Sequence, residues 1–167
     1  AGVLGMISYP MSTFSRLDFT SFARYSKKER RFGLLSREAF LVTNSVSWVV
    51  DNSLWDVSGP IEGHRYNVTA GITFNADGWE EYSRQGWADL RHYFRLGRYS
   101  AFANRIFGYH SGGIEPQRIY FGGTWSFRGF DRRAFYARNI AFMSNELRFP
   151  LIDNLVVGFP MGGLGFR

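Results

Sequence analysis

The chain has 167 residues and a mass of 19.2 kDa, enough for one domain, and its 45% hydrophobic content excludes a disordered or collagen-like chain. It contains no cysteine, which excludes disulfide scaffolds, cysteine-containing zinc sites and thiol nucleophiles together. Its formal net charge of +6 suits phosphate-rich partners such as lipid headgroups, lipopolysaccharide or nucleic acid. Aromatic residues make up 19% of the chain, and together with 19 glycines they favour strands and tight turns over helices.

Alternation of apolar and polar residues predicts an all-β chain. In chain order, the candidate strands cover residues 1–9, 16–25, 40–51, 65–75, 87–96, 99–109, 137–149 and 154–162. The clearest is 65–75, where period two is unbroken and one face carries Tyr66, Val68, Ala70, Ile72 and Phe74. Segments of this kind match the roughly 9 to 11 residues with which a tilted strand crosses a bilayer.

The connections between these segments alternate in length. Short turns are predicted at 9–12, 96–98 and 150–154, and longer polar loops near 26–36, 76–84 and 110–136. The connection from 51 to 63 is an exception, since it falls on the short-turn side and spans about a dozen residues. Short turns on one side and long loops on the other are typical of an antiparallel outer-membrane β-barrel.

A soluble β-sandwich is the alternative, because its strands alternate as well. Two features favour the barrel. Arginine and aspartate occur in mid-strand on the polar faces, as suits a wet lumen, and aromatic residues gather at segment ends, as in interfacial girdles. The girdle candidates are Tyr9, Tyr25, Trp48, Trp79, Tyr82, Trp87, Tyr93, Tyr99 and Tyr109. In a barrel, the apolar face of 65–75 would meet lipid.

Catalytic and metal-binding patterns have little support. The three histidines, His64, His92 and His110, lie far apart in the sequence, and Ser111 lacks the Gly-x-Ser-x-Gly context of an exposed nucleophile. No spacing of histidines and carboxylates resembles a metal-ligand set, and the glycine pairs form no phosphate-binding loop. The sequence therefore predicts a protein that is not an enzyme and has no metal and no cofactor.

The densest charge run is Lys27-Lys28-Glu29-Arg30-Arg31. A solvated hairpin tip explains it, although in a barrel it would lie in a long loop where it meets lipopolysaccharide phosphates. Nucleic-acid binding is not expected, because the strongest aromatic faces carry no interleaved basic residues.

One region carries more specific information than the rest. Gly122-Gly123 is followed by Arg128-Gly129-Phe130 and then by Glu146-Leu147-Arg148-Phe149-Pro150. This order resembles the barrel of the outer-membrane protein assembly-factor superfamily, which includes BamA-like insertases, two-partner secretion transporters and bacterial surface antigens. Segments 9–17 and 59–65 look most like surface-antigen barrels.

The resemblance implies a sixteen-stranded transmembrane barrel in the bacterial outer membrane, of which about eight strands are present. Its long extracellular loop would fold into the lumen, with Arg128, Gly129 and Phe130 at the tip and Gly122 and Gly123 at the turn. Glu146 is the partner expected for Arg128, and Arg148 shares its face. Phe130 would wedge between side chains of the barrel wall. The implied role is protein insertion or translocation.

The partners that the resemblance implies are outer-membrane lipid and lipopolysaccharide, client or secreted proteins, and a periplasmic domain of the same chain. The family's later Phe-x-Asp-x-Gly pattern is missing, and the last residues, Gly165-Phe166-Arg167, lack a terminal aromatic signal. We therefore expect residues 1–167 to be a fragment of a C-terminal barrel domain without its last strands. Two rival functions stay open: a passive pore or surface-display anchor, and a soluble β-sandwich binding module.

Overall fold

A computed structural model describes residues 2–28, 37–56, 59–124, 126–149, 155–159 and 162–166. These residues form strands and no helix, so none of them belongs to a helix that is long and apolar enough to cross a membrane. The strands are β1 (Gly2–Ser12), β2 (Ser15–Lys28), β3 (Arg37–Asp51), β4 (Leu54–Asp56), β5 (Gly59–Asn75), β6 (Glu80–Arg95), β7 (Ala101–Gly112), β8 (Ile119–Phe121), β9 (Phe135–Ala137), β10 (Asn139–Arg148), β11 (Leu155–Phe159) and β12 (Gly162–Phe166).

Seven long strands form one antiparallel sheet in the order β1-β2-β3-β5-β6-β7-β10, and the short β4 pairs with the start of β5. Each long strand therefore pairs with the next long strand along the chain. Two small hairpins, β8-β9 and β11-β12, form separate sheets. The predicted all-β antiparallel fold is confirmed. Within the described residues β1 and β10 are the two edges of an open sheet, and no pairing closes it into a barrel.

The register lines up apolar residues across the sheet. Val68 lies opposite Trp48 on β3 and opposite Ala88 on β6. Because side chains alternate between faces, this register gives one predominantly apolar face, on which Ser21, Asn44 and Arg84 are polar members. Its members include Ile7, Phe19, Val46, Trp48, Tyr66, Val68, Ala70, Ile72, Phe74, Leu90, Ile106 and Met143.

The opposite, polar face is the buried one. Val68 is 40% exposed and Ile7 is 72% exposed, whereas Thr69 and Thr73 are 3% and 1% exposed. Hydrogen bonds satisfy these buried hydroxyls: Thr69 Oγ1 lies 2.8 Å from Ser47 Oγ, and Thr73 Oγ1 lies 2.9 Å from Thr43 Oγ1. The sheet thus exposes its apolar side and buries its polar side, the reverse of a sheet in a water-soluble sandwich.

The first turn differs from its prediction. The sequence predicts a turn at residues 9–12, but Tyr9 and Pro10 pair with Leu17 and Arg16, so the turn lies at Thr13 and Phe14. A turn is predicted at Pro10 because proline has no N–H to donate to a neighbouring strand. At the edge of the sheet, β1 has one side without a partner strand, so Pro10 is tolerated there.

The predicted loop at 76–84 is also wrong. The connection from β5 to β6 is a turn of residues 76–79, and β6 begins at Glu80. The polar run around Glu80 and Glu81 suggests a loop, but it belongs to a strand that contains a bulge opposite Phe74. The connection at 51–63 holds β4 and the first residues of β5.

The predicted strand at 154–162 is replaced by two short strands, β11 and β12, which pair with each other. Pro160 stands between them in the sequence, and proline disfavours a continuous strand. The other seven predicted strands coincide with β1, β2, β3, β5, β6, β7 and β10. The predicted turn at 150–154, residues 29–36 of the first long loop and residues 29–31 of the charge run lie outside the described residues.

Candidate functional site

The long connection between β7 and β10 lies on the polar face of the sheet. It contains the β8-β9 hairpin, which brings Phe121 to ring-centroid distances of 6.2 Å from Phe107 on β7 and 4.7 Å from Phe142 on β10. Phe127 also reaches Phe142, at 5.8 Å. Both Phe107 and Phe142 project from the polar face, so aromatic packing holds the described part of this connection, which runs from 113 to 138, against that face. We call it the long loop.

Ser111 fixes the root of the long loop. Its side chain is fully buried; the hydroxyl donates to the Arg84 carbonyl at 3.1 Å and accepts from the Gln117 amide at 2.9 Å. The Ser111 amide donates to the Arg138 carbonyl at 2.9 Å, which ties both ends of the loop together. These three hydrogen bonds all join Ser111 to backbone groups and give it a structural role.

Two glycines reverse the loop backbone beside β8. Gly122 and Gly123 have φ angles of 124° and 97°, which side-chain-bearing residues rarely adopt. A Cβ on Gly122 would lie 2.5 Å from the Asp131 carbonyl oxygen. The reversed backbone is closed by the Phe127 amide, which donates to the Gly123 carbonyl at 3.0 Å. Glycine is therefore required at 122 both for its φ angle and for space.

A Gly122→Ala exchange is expected to release the long loop from the sheet. A side chain at positive φ costs about 1–3 kcal/mol of backbone strain at either Gly122 or Gly129, but only at Gly122 does the added Cβ also clash with the Asp131 carbonyl oxygen. Trypsin should therefore cleave the loop of the folded full-length Gly122→Ala variant at least about tenfold faster than a loop that carries the strain alone. Gly129→Ala is the matched control: Gly129 also has a positive φ, 88°, but a Cβ added there would have no atom within 4 Å. Equal cleavage rates for the two variants would contradict a tightly packed turn at Gly122.

The tip of the long loop makes an ion pair with the sheet. Arg128 Nη1 lies 3.3 Å from Glu146 Oε1 on β10. The other carboxylate oxygen accepts from Arg148 Nη2 at 2.9 Å and from Arg148 Nε at 3.1 Å. Arg148 also lies over the ring of Tyr93, 5.9 Å from its centroid. The structure thus brings together Arg128, Glu146 and Arg148, with one carboxylate between two guanidinium groups.

Phe130 does not wedge between side chains of the sheet. Its ring stacks on Phe127 at 4.8 Å and meets the edge of Phe135 at 5.1 Å, and both of these residues belong to the loop. Phe127, rather than Phe130, carries the contact to the sheet. Gly129 supplies the turn between Arg128 and Phe130.

A second ion cluster, which the sequence patterns did not indicate, lies beside this one. Asp89 accepts two hydrogen bonds from Arg91, at 3.0 and 2.7 Å, and two from Arg105, at 2.9 and 2.8 Å. Arg105 also lies over Phe107 and Phe142, at 5.6 and 5.1 Å from their centroids. It therefore links the ion cluster to the aromatic residues under the loop. The Asp89-x-Arg91 spacing places two of the three residues on one face, but Arg105 joins them only through strand pairing.

The two clusters border one cavity of about 490 Å³ between the long loop and the polar face. Its charged lining consists of Arg65, Arg91, Arg105, Arg128, Glu146 and Arg148. Thr124, Ser126, Ser144, Asn104 and Tyr93 add uncharged polar residues to the lining. A partly open cavity with this many guanidinium groups can bind anions.

The sequence suggests that the three histidines are far apart, but two of them are neighbours in the sheet. His64 on β5 pairs with His92 on β6, and their ring centroids lie 5.9 Å apart. Tyr66 stacks on His64, and its hydroxyl lies 3.3 Å from His92 Nδ1. His110 instead contacts Asn139. Within the described part of the chain no group of three potential metal ligands occurs.

The predicted lipid-facing residues Tyr66, Val68, Ala70, Ile72 and Phe74 all lie on the apolar face. Of the predicted girdle, Tyr9, Tyr25 and Trp48 are exposed on that face. Tyr82, Tyr93 and Tyr109 are buried instead, and Trp87 lies on the polar face, so the assignment of these four residues to a girdle is wrong. Tyr109 donates to the Gln117 carbonyl at the loop root, which explains its burial.

Comparison of the chain with protein-family models, curated proteins and solved structures finds no match. What the chain does is therefore inferred from the two faces of the sheet and from the long loop.

Proposed function

We propose that this sheet is part of the wall of an outer-membrane β-barrel of the assembly-factor and surface-antigen type. The apolar face meets lipid, and the polar face with its long loop faces the lumen. The observation that carries this proposal is the reversed burial: Ile7, Trp48 and Val68 are exposed, while Thr69 and Thr73 on the other face are buried.

The energetics of the two faces support a bilayer as solvent. Burying an aliphatic or aromatic side chain contributes about 1.5–3 kcal/mol, and the apolar face offers such side chains on all seven long strands. Exposed patches of that extent are rare on soluble monomers. The long strands have 10 to 17 residues, enough for a tilted crossing. Arginine-carboxylate clusters on the polar face suit a wet interior.

The proposed role is insertion or translocation of proteins at the bacterial outer membrane. In this mechanism a weakly paired seam and a locally thinned bilayer lower the cost of bringing unpaired strand backbone into the membrane. No covalent bond changes and no cofactor takes part. Support comes from the order of Gly122-Gly123, Arg128-Gly129-Phe130 and Glu146 in the sequence and from the ion pair between the loop tip and β10.

Depletion tests the role directly. Loss of an insertase or translocator is expected to reduce the amount of its client proteins in the outer membrane or outside the cell. A passive pore or a display anchor would leave those amounts unchanged. A soluble β-sandwich would be extracted without detergent, which would contradict the membrane proposal altogether.

Arg128→Ala tests the loop tip. Arg128 is 64% exposed, so its pair with Glu146 contributes only up to about 1 kcal/mol to stability. We therefore expect the full-length protein to keep its heat-modifiable electrophoretic mobility while client assembly slows severalfold. Arg132→Ala removes the same charge from the same exposed loop and is the control. Wild-type client assembly in Arg128→Ala would rule out a functional role for this residue.

A passive pore is the second candidate, favoured by the cavity beneath the long loop. If the loop is only a plug, deleting residues 113–138 raises ion conductance across a planar bilayer without any loss of client proteins. If the loop takes part in insertion, the same deletion lowers client assembly.

A further inference from the structure

We propose that the cavity between the long loop and the polar face is a binding site for a phosphate group. The ligand class is a diphosphate or a phosphate ester, carried either by a soluble molecule or by a lipid such as lipopolysaccharide. This inference depends on the loop covering the polar face and goes beyond the role in protein insertion.

The charge balance at the cavity is the first argument. Five arginines line it: Arg65, Arg91, Arg105, Arg128 and Arg148. Their carboxylate partners are Asp51 for Arg65, Asp89 for the next two, and Glu146 for the last two. Among the described residues, guanidinium groups thus outnumber their carboxylate partners at this lining. A phosphate group supplies negative charge that balances such an excess.

The local environment strengthens this attraction. The side chains of Arg91, Arg105 and Arg148 are 33%, 21% and 28% exposed, so they are largely withdrawn from bulk water. Charges interact more strongly there than at a fully hydrated surface, and added salt screens them less. The loop therefore covers part of the arginine lining, and the partly buried arginines attract anions more strongly than exposed ones would.

The chemical groups of the lining suit a phosphate ligand. Guanidinium groups carry a permanent positive charge and donate charge-assisted hydrogen bonds to phosphate oxygens. Thr124, Ser126 and Ser144 add hydroxyl donors to the same lining. The volume of about 490 Å³ lies within the range of small-molecule sites and leaves room for more than one phosphate group.

Pyrophosphate is the probe for the first experiment, which uses the full-length protein in a non-ionic detergent and isothermal titration calorimetry. We expect saturable binding that Arg65→Gln and Arg91→Gln each weaken about tenfold, because each removes one charged donor. Arg132→Gln, which removes a charge from the same loop outside the cavity lining, should change the affinity less than about twofold. Absence of saturable binding, or an equal loss in Arg132→Gln, would overturn the proposal.

Trypsin protection provides a second measurement, which needs no substitution. Bound pyrophosphate should slow cleavage of the wild-type long loop severalfold, because the anion ties the loop to the sheet. Vesicles containing phosphorylated lipopolysaccharide are the second arm, with dephosphorylated lipopolysaccharide as their control. Protection by pyrophosphate assigns the site to soluble phosphates, and protection by phosphorylated lipopolysaccharide alone assigns it to lipid phosphates. Protection in neither arm would overturn the proposal, whatever the fate of the insertion role.

Discussion

Val46→Arg is expected to lower the free energy of unfolding in lipid vesicles by about 2–4 kcal/mol, the cost of a lipid-facing arginine near the middle of a barrel strand. Val46 lies on the apolar face, opposite Phe19 on β2 and Ala70 on β5. It is 42% exposed, so the added side chain has room and the penalty comes from lipid rather than from a clash. Urea-driven unfolding from phosphatidylcholine vesicles, followed by tryptophan fluorescence, measures the change.

Asp77→Arg is the control for this prediction. Asp77 lies in the exposed turn between β5 and β6, outside the strands. A surface substitution there should change the free energy of unfolding by less than about 0.5 kcal/mol. If Val46→Arg were as harmless as Asp77→Arg, the apolar face would be in contact with water.

Asp89→Asn is expected to have the second large effect, about 3 kcal/mol of destabilisation. Asp89 holds two guanidinium groups with four hydrogen bonds, and its side chain is only 17% exposed. Removing its charge leaves Arg91 and Arg105 side by side without a counter-charge. Breaking a buried ion pair in this way costs about 3–5 kcal/mol, and partial hydration places this case at the low end. The same vesicle unfolding experiment measures it.

A double variant separates charge from packing at this cluster. Arg91→Gln added to Asp89→Asn removes one of the two repelling charges, so part of the lost stability should return. An additive loss in the double variant would contradict repulsion as the cause. It would indicate that the cluster is wet enough for water to screen its charges.

The strands were predictable because their side chains alternate over long stretches. The segment 65–75 lies entirely within β5, and 40–51 and 16–25 lie within β3 and β2. The strand ends were not predictable, because polar residues occur both in loops and at the ends of strands. Glu80 and Glu81 look like loop residues, yet they extend β6 past a bulge. In the sequence, Tyr82 and Tyr109 look like girdle residues. They are buried by contacts around the loop root, which the sequence does not show.

The candidate site was only partly predictable. Glu146 and Arg148 share a face because they are two residues apart on one strand, and their polar register was visible in the sequence. The pairing of Arg128 with Glu146 was suggested by the resemblance alone. Arg105 joins Asp89, and His64 meets His92, through strand register, which period-two alternation does not specify. The aromatic packing that holds the loop depends on the β8-β9 hairpin, whose three-residue strands are too short to show a period.

The most direct test of the central claim, that the two faces meet different solvents, is fluorescence quenching by brominated lipid. Trp48 lies on the apolar face and Trp87 on the polar face, two strands away. Variants of the full-length protein in which Trp48 or Trp87 is the sole tryptophan would be folded into vesicles with brominated acyl chains. The barrel account predicts strong quenching of Trp48 and weak quenching of Trp87. Equal quenching of both, or no quenching of Trp48, would contradict it.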